Sequence, residues 1–201
     1  MSIRITGLAA LVTAILFATG TSSQAAYSYT TAITPGTIPF GSSLLAFAGR
    51  SDSGLTTSSQ INAASITLTS SAADATPDTL SPTTFTIGVT ITNNGATSTL
   101  SFTESITGSA SLNNSILDTT LVSYTNPGPV NIGGTLFTLN AGSIGAQDFL
   151  FSPPTVNGAS GSQGVRIITS AAVPEPASLA MVSIGLVGLG LYGARRRNVV
   201  A

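Results

Sequence analysis

The chain has 201 residues, is 42% hydrophobic and only 6% charged, and carries a formal net charge of −1, whereas soluble domains average about 25% charged residues. It contains no Cys, His, Lys or Trp, which excludes disulfides, thiolate zinc sites, histidine bases and Schiff-base chemistry. Six arginines cannot form the basic surface that nucleic acids require, so we expect no nucleic-acid partner.

The N-terminus has the three-part pattern of a secretory signal peptide. Arg4 supplies a positive charge, and an apolar stretch of about eleven residues follows from Leu8 to Ala18. This stretch is too short for a helix that spans a bilayer. Ser23 and Ala25 place small residues at −3 and −1, so we expect signal peptidase to cleave after Ala25, with Ala26 as the second choice.

Residues 26–172 form the body, which is long enough for one domain with a sizeable core. Short apolar stretches alternate with Ser and Thr and are separated by Gly, Pro or Asn clusters, which is typical of β-structure. Strands are predicted at 43–48, 65–69, 85–91, 116–124, 135–140, 148–151 and 165–169. We therefore predict an all-β fold, a single antiparallel β-sandwich that is Ig-like or jelly-roll-like. Segments 51–62 and 157–164 are predicted to be mobile.

The sharpest local prediction is a β-hairpin at Asn94-Gly95, a dipeptide that favours two-residue turns. Such a turn places Val89 opposite Leu100 and Ile87 opposite Phe102, with threonines on the solvent face. Apolar residues then face apolar residues across the hairpin, and a shift of one residue would destroy that match. The sequence therefore predicts the register as well as the turn.

Glu104 falls opposite Phe85 in this register, which puts an acid on the apolar face. We predict that it lies at the exposed end of the strand or past a bulge, and the alternative is a functional carboxylate. The remaining carboxylates of the body are Asp52, Asp74, Asp78, Asp118 and Asp148. A glycosidase needs two carboxylates about 5–10 Å apart. Because the body lacks Trp and has few Tyr residues for binding sugars, we expect no enzymatic activity.

Calcium is the one cofactor for which the composition offers ligands, since calcium takes oxygen atoms from loops. Segments 74–78 and 113–115 are rich in such oxygens, but neither has the spacing of an EF-hand. We therefore expect solvated loop acids and no cofactor. A weak carbohydrate- or calcium-binding surface module is the alternative function.

The C-terminal region contains an apolar, uncharged stretch of about 18 residues from Ala177 to Ala194. As a helix this stretch is about 27 Å long, just enough to cross a bilayer. Arg195, Arg196 and Arg197 follow at once, and arginines beside a span stay on the cytoplasmic side. We predict a transmembrane helix over 177–194 that anchors the exported body before processing, with a stop-transfer cluster at 195–197.

The residues before this helix, Val173-Pro174-Glu175-Pro176-Ala177, carry a more specific pattern. Together with the helix and the arginines, this motif (173–179) resembles the PEP-CTERM sorting signal of bacterial surface proteins. The resemblance implies that an exosortase, a membrane-embedded enzyme, cleaves near the motif. The two prolines keep the backbone extended, which presents Glu175 to such an enzyme. The resemblance thus implies that Glu175 is a recognition element without a catalytic role.

These patterns divide the chain into a signal peptide (1–25), a β-sandwich ectodomain (26–172) and a sorting signal (173–201). The body keeps two arginines against six acids, a formal charge of −4. We expect a protein of a Gram-negative-type bacterium that is exported, transiently anchored in the inner membrane and then found at the cell surface or in the extracellular matrix of a biofilm. The resemblance implies a structural or interaction role there, with exopolysaccharide as the expected partner.

Overall fold

The computed structural model describes residues 26–142, 150–171 and 185–186. The predicted signal peptide with Ser23 and Ala25, and Asp148 of the predicted strand 148–151, therefore lie outside the described residues. Of residues 172–201, only Gly185 and Leu186 are described, and both are helical.

Within the described residues the body folds into twelve strands, and every strand pairing is antiparallel. They are β1 (Tyr27–Thr34), β2 (Thr37–Phe40), β3 (Ser43–Gly49), β4 (Ser51–Leu55), β5 (Ser59–Ser70), β6 (Asp78–Asn93), β7 (Ala96–Ala110), β8 (Ser115–Tyr124), β9 (Val130–Ile132), β10 (Thr135–Asn140), β11 (Phe151–Ser152) and β12 (Ser160–Ala171). The all-β prediction is confirmed.

The strands form two sheets. The five-stranded sheet has the order β4-β1-β6-β7-β8, and the seven-stranded sheet has the order β2-β3-β5-β12-β10-β9, with β11 paired beside β12. In the described part of the chain, the backbone passes from one sheet to the other after β1, β3, β4, β5 and β8. Strands that are close in sequence are therefore often in different sheets.

One hydrophobic core contains buried residues from both sheets. Phe47 of β3 stacks on Phe85 of β6 with ring centroids 4.9 Å apart. The edge of one ring meets the face of the other where Tyr27 of β1 contacts Phe137 of β10, with centroids 5.2 Å apart. Because each pair joins one sheet to the other, these contacts support the predicted β-sandwich.

The hairpin of β6 and β7 has the predicted register. Val89 pairs with Leu100 and Ile87 pairs with Phe102, and all four side chains are fully buried. At the turn, Asn94 has φ of 49° and Gly95 has φ of 76°. Two consecutive positive φ angles are what a type I′ turn requires, and its twist matches that of the flanking strands.

Threonine hydroxyls pair across the outer face of this hairpin. Three cross-strand hydrogen bonds join Thr86 to Thr103 (2.8 Å), Thr90 to Thr99 (2.8 Å) and Thr92 to Thr97 (3.1 Å). Such pairs stabilise antiparallel strands, and they give this face a polar surface without charge. The prediction of threonines on the solvent face is confirmed.

The two segments that were predicted to be mobile are largely strands, so that prediction is wrong. Segment 51–62 contains β4 and the start of β5, and segment 157–164 contains the start of β12, which lies between β5 and β10. Gly161 is there for close packing, because a Cβ atom at this position would collide with the carbonyl oxygen of Ser152. Composition alone did not distinguish such packing from flexibility.

Candidate functional site

The predicted sorting residues 173–177 and the arginine cluster 195–197 lie outside the described residues. Across the ranges that the structure describes, there is no helix with the length and apolarity needed to span a membrane. The candidate sites within the body are therefore built from its polar and charged side chains.

Asp74 brings together the two oxygen-rich segments that the sequence analysis considered for calcium. Its Oδ1 accepts hydrogen bonds from the Ser111 hydroxyl (2.8 Å) and the Asn113 backbone N–H (3.0 Å), and its Oδ2 accepts one from the Asn113 side-chain amide (2.8 Å). These bonds, the Asn113 side chain first, lower the pKa of Asp74 below its ordinary value. The carboxylate thus ties the β5–β6 connection to the β7–β8 turn.

Asp78 plays the same part for the β2–β3 turn. Its Oδ2 accepts hydrogen bonds from the Ser43 hydroxyl (2.7 Å), the Ser42 backbone N–H (2.8 Å) and the Ser42 hydroxyl (2.9 Å). The bond from Ser43 is the largest cause of a lowered pKa at Asp78. Among the described residues no three Asp or Glu side chains lie together as ligands for a metal ion. Both acids fasten loops.

Glu104 is fully buried in the interior of β7, so the prediction of an exposed strand end is wrong. A bulge does lie beside it, between Thr103 and Glu104 in the pairing with β8. Its Oε1 accepts a hydrogen bond of 3.0 Å from Nε2 of Gln163, a buried residue of β12 in the other sheet. The hairpin register predicted the neighbour in β6 but could not predict this partner in the opposite sheet.

A cavity of about 350 Å³ opens on the outer face of the seven-stranded sheet. Of the residues that the structure describes, Ser58, Gln60, Asn140, Leu150 and Arg166 line it. Three of them form one row across adjacent strands, because Arg166 of β12 pairs with Gln60 of β5 on one side and with Asn140 of β10 on the other. Their side chains point away from the core, since the residues next to them along each strand are buried (Ile61, Leu139, Val165 and Ile167).

The described residues that line this cavity present one guanidinium, two amides and one hydroxyl as polar groups. Asn140 Oδ1 already accepts the Gly142 N–H at 3.0 Å, which leaves its amide nitrogen to donate. Ser58 Oγ accepts the Thr169 N–H at 2.9 Å. Within the described part of the chain, the Arg166 guanidinium makes neither a hydrogen bond nor an ion pair. Among the described lining residues, the cavity therefore combines one positive charge with uncharged amide and hydroxyl groups.

Sequence reasoning missed this row because its members lie far apart along the chain. The available signal was Arg166 itself, an arginine on the polar face of a strand whose alternate residues are apolar (Val165 and Ile167). Which residues lie beside it depends on the order of β5, β12 and β10 in the sheet, and local periodicity does not encode that order.

The fold and the terminal pattern define an all-β body followed by a processing signal. A family model described as the PEP-CTERM protein-sorting motif matches residues 172–197. The chain carries this motif, as the sequence analysis predicted, and the motif implies an exported protein that an exosortase processes at the membrane. Only residue 172 of the body lies within the match, and no curated protein and no solved structure matches the chain.

Proposed function

We propose that the protein acts at the bacterial cell surface or in the exopolysaccharide matrix, in a structural or interaction role, after an exosortase has processed it. The observation that carries this proposal is the sorting motif at residues 172–197. The hydroxyl-paired outer face of the β6–β7 hairpin supports it, since that face is polar and uncharged. The body is proposed as an Ig-like or jelly-roll-like β-sandwich that needs no cofactor and has no catalytic activity.

The proposed maturation has two cleavages. Signal peptidase removes residues 1–25, and the helix over 177–194 then holds the body at the inner membrane, with Arg195–Arg197 on the cytoplasmic side. The extended motif around Glu175 presents one negative charge to the exosortase at the outer side of the membrane. Cleavage near Pro174–Ala177 frees the body for release or for attachment to the surface.

Intact-mass measurement of protein from cells and from medium tests this maturation. The mature pool should lack residues 1–25 and the segment after the Pro174–Ala177 region. Glu175→Ala should cause the unprocessed form to accumulate, whereas Asp52→Ala, which removes an exposed carboxylate from the body, should be processed normally. A mature pool that retains Arg195–Arg197 would contradict the proposal.

The second candidate is a weak carbohydrate- or calcium-binding surface module. The cavity beside Arg166 favours the carbohydrate form, because it places donors on an exposed face. Affinity electrophoresis with the producer's own polysaccharide tests that form, and a calcium-dependent shift in melting temperature tests the other. Dose-dependent retardation or stabilisation would favour the binding module, and flat results would favour a purely structural role.

A further inference from the structure

We propose that the cavity beside Arg166 binds the carboxylate of an acidic sugar, as found in a uronic-acid unit of an anionic polysaccharide. This inference deepens the proposed function and rests on it, because export is what brings the body into contact with such a polymer. The site itself is argued from the outer face of the seven-stranded sheet.

The row of Gln60, Arg166 and Asn140 is held by the sheet rather than by loops. Arg166 pairs with Gln60 across β12 and β5 and with Asn140 across β12 and β10, and neighbouring strands in a sheet are about 4.8 Å apart. The backbone therefore places Arg166 between two residues with amide side chains. A site built on strands positions its groups more accurately than a site on loops.

The donors in this row match a carboxylate on a sugar. A guanidinium binds a planar carboxylate through two parallel hydrogen bonds, and the single charge of Arg166 balances the single charge of one carboxylate. The amides of Gln60 and Asn140 and the hydroxyl of Ser58 can pair with sugar hydroxyls beside it. Phosphate groups carry more charge and are usually held by several cations, whereas Arg166 is the single cation among the described residues that line this cavity.

The size of the cavity also fits this ligand. Its volume of about 350 Å³ lies at the lower end of the range of about 300–1,000 Å³ for small-molecule sites, which suits one or two sugar units. Leu150 supplies an apolar wall, against which the C–H groups of a sugar ring can pack. Because the cavity opens on the sheet surface, the rest of a polymer can extend beyond it.

Arg50 provides a matched control for the charge of Arg166. It is the other arginine in the body, it is also exposed, and its guanidinium donates a hydrogen bond of 2.8 Å to the Ser65 hydroxyl. It does not line the cavity. Arg50→Gln and Arg166→Gln therefore change the net charge equally, and only the second alters the proposed site.

The experiment measures binding of polygalacturonate to the full-length chain purified in detergent, by affinity electrophoresis. The probe is compared with its methyl ester, in which the carboxylates are neutral, and with dextran sulfate as a non-carboxylate polyanion. The unaltered chain and the Arg50→Gln variant should bind polygalacturonate. Neither should bind its methyl ester. Arg166→Gln should weaken binding by about tenfold, and Asn140→Ala should weaken it less.

Four results would overturn the inference: no retardation by polygalacturonate, equal binding of the methyl ester, equal loss in the two arginine variants, or tighter binding of dextran sulfate that does not depend on Arg166. Circular dichroism checks that each variant folds. Binding by the purified chain does not require export, so Arg166-dependent binding can persist if the maturation test fails. Conversely, normal maturation without binding would overturn this inference alone.

Discussion

Gln163 of β12 donates a hydrogen bond of 3.0 Å from its Nε2 to Oε1 of Glu104 in β7, and both side chains are fully buried. Each residue lies beside an irregularity in its own sheet: the β7–β8 pairing shifts between Thr103 and Glu104, and the β12–β5 pairing shifts between Gln163 and Gly164. The polar pair thus connects the two sheets at the points where each departs from regular pairing.

Replacing Glu104 with alanine should destabilise the protein. The substitution removes one of the two acceptors of the Gln163 Nε2 amide and leaves it only the Gly164 carbonyl at 3.2 Å. A buried N–H that loses its acceptor costs about 1–3 kcal/mol. Glu104→Gln keeps an acceptor oxygen and should cost less. Urea unfolding of each purified variant measures the difference.

A double-mutant cycle with Gln163→Ala separates this contact from the loss of side-chain volume. If the two residues act as a pair, their effects should be clearly non-additive. Fully additive losses, or an alanine variant at 104 as stable as the unaltered chain, would contradict the assigned role.

The stability of the protein should depend on the glycine in the turn of the β6–β7 hairpin. Gly95 has φ of 76°, a conformation that costs an L-residue about 1–2 kcal/mol, and a Cβ atom there would meet no other atom within 4 Å. Gly95→Ala should therefore lose stability through backbone strain alone. Gly128→Ala is the control, because Gly128 also has open space around it but is not among the residues with positive φ. Equal unfolding midpoints for the two variants would show that the turn carries no such strain.

Stability should fall in acid through the two loop carboxylates. Hydrogen bonds hold the pKa of Asp74 and of Asp78 below the ordinary value of 3.8 in the folded protein. A carboxyl whose pKa is depressed by folding contributes stability above its unfolded pKa and loses that contribution as the pH falls through its folded pKa. Melting temperature should therefore drop as the pH is lowered past 3.8 toward the depressed values.

Variants of these acids test the source of this acid sensitivity. Replacing both Asp74 and Asp78 with asparagine should make the melting temperature depend less on pH below pH 4, because neither side chain then titrates. Ser43→Ala removes the largest cause of the lowered pKa at Asp78 and should move part of the loss to higher pH. If the melting temperature of the double variant falls in acid as steeply as that of the unaltered chain, other groups cause the acid sensitivity.

Local sequence determined several features of this protein. Alternation of apolar residues with threonine predicted the β class, and Asn94-Gly95 predicted both the turn and the pairing of Val89 with Leu100. The sorting motif could also be recognised from the sequence, because its parts are contiguous in the chain. These features depend on residues within a few positions of one another, whose geometry the backbone fixes directly.

The tertiary structure decided what the local pattern could not. Glu104 is buried because Gln163, 59 residues away, reaches it from the other sheet, and Arg166 gains its neighbours from the order of β5, β12 and β10. Polar segments became strands for the same reason, since pairing partners came from distant parts of the chain. Four of the body's few ionic groups thus have distinct places in the fold: Asp74 and Asp78 fasten loops, Glu104 joins the two sheets, and Arg166 lines an open cavity.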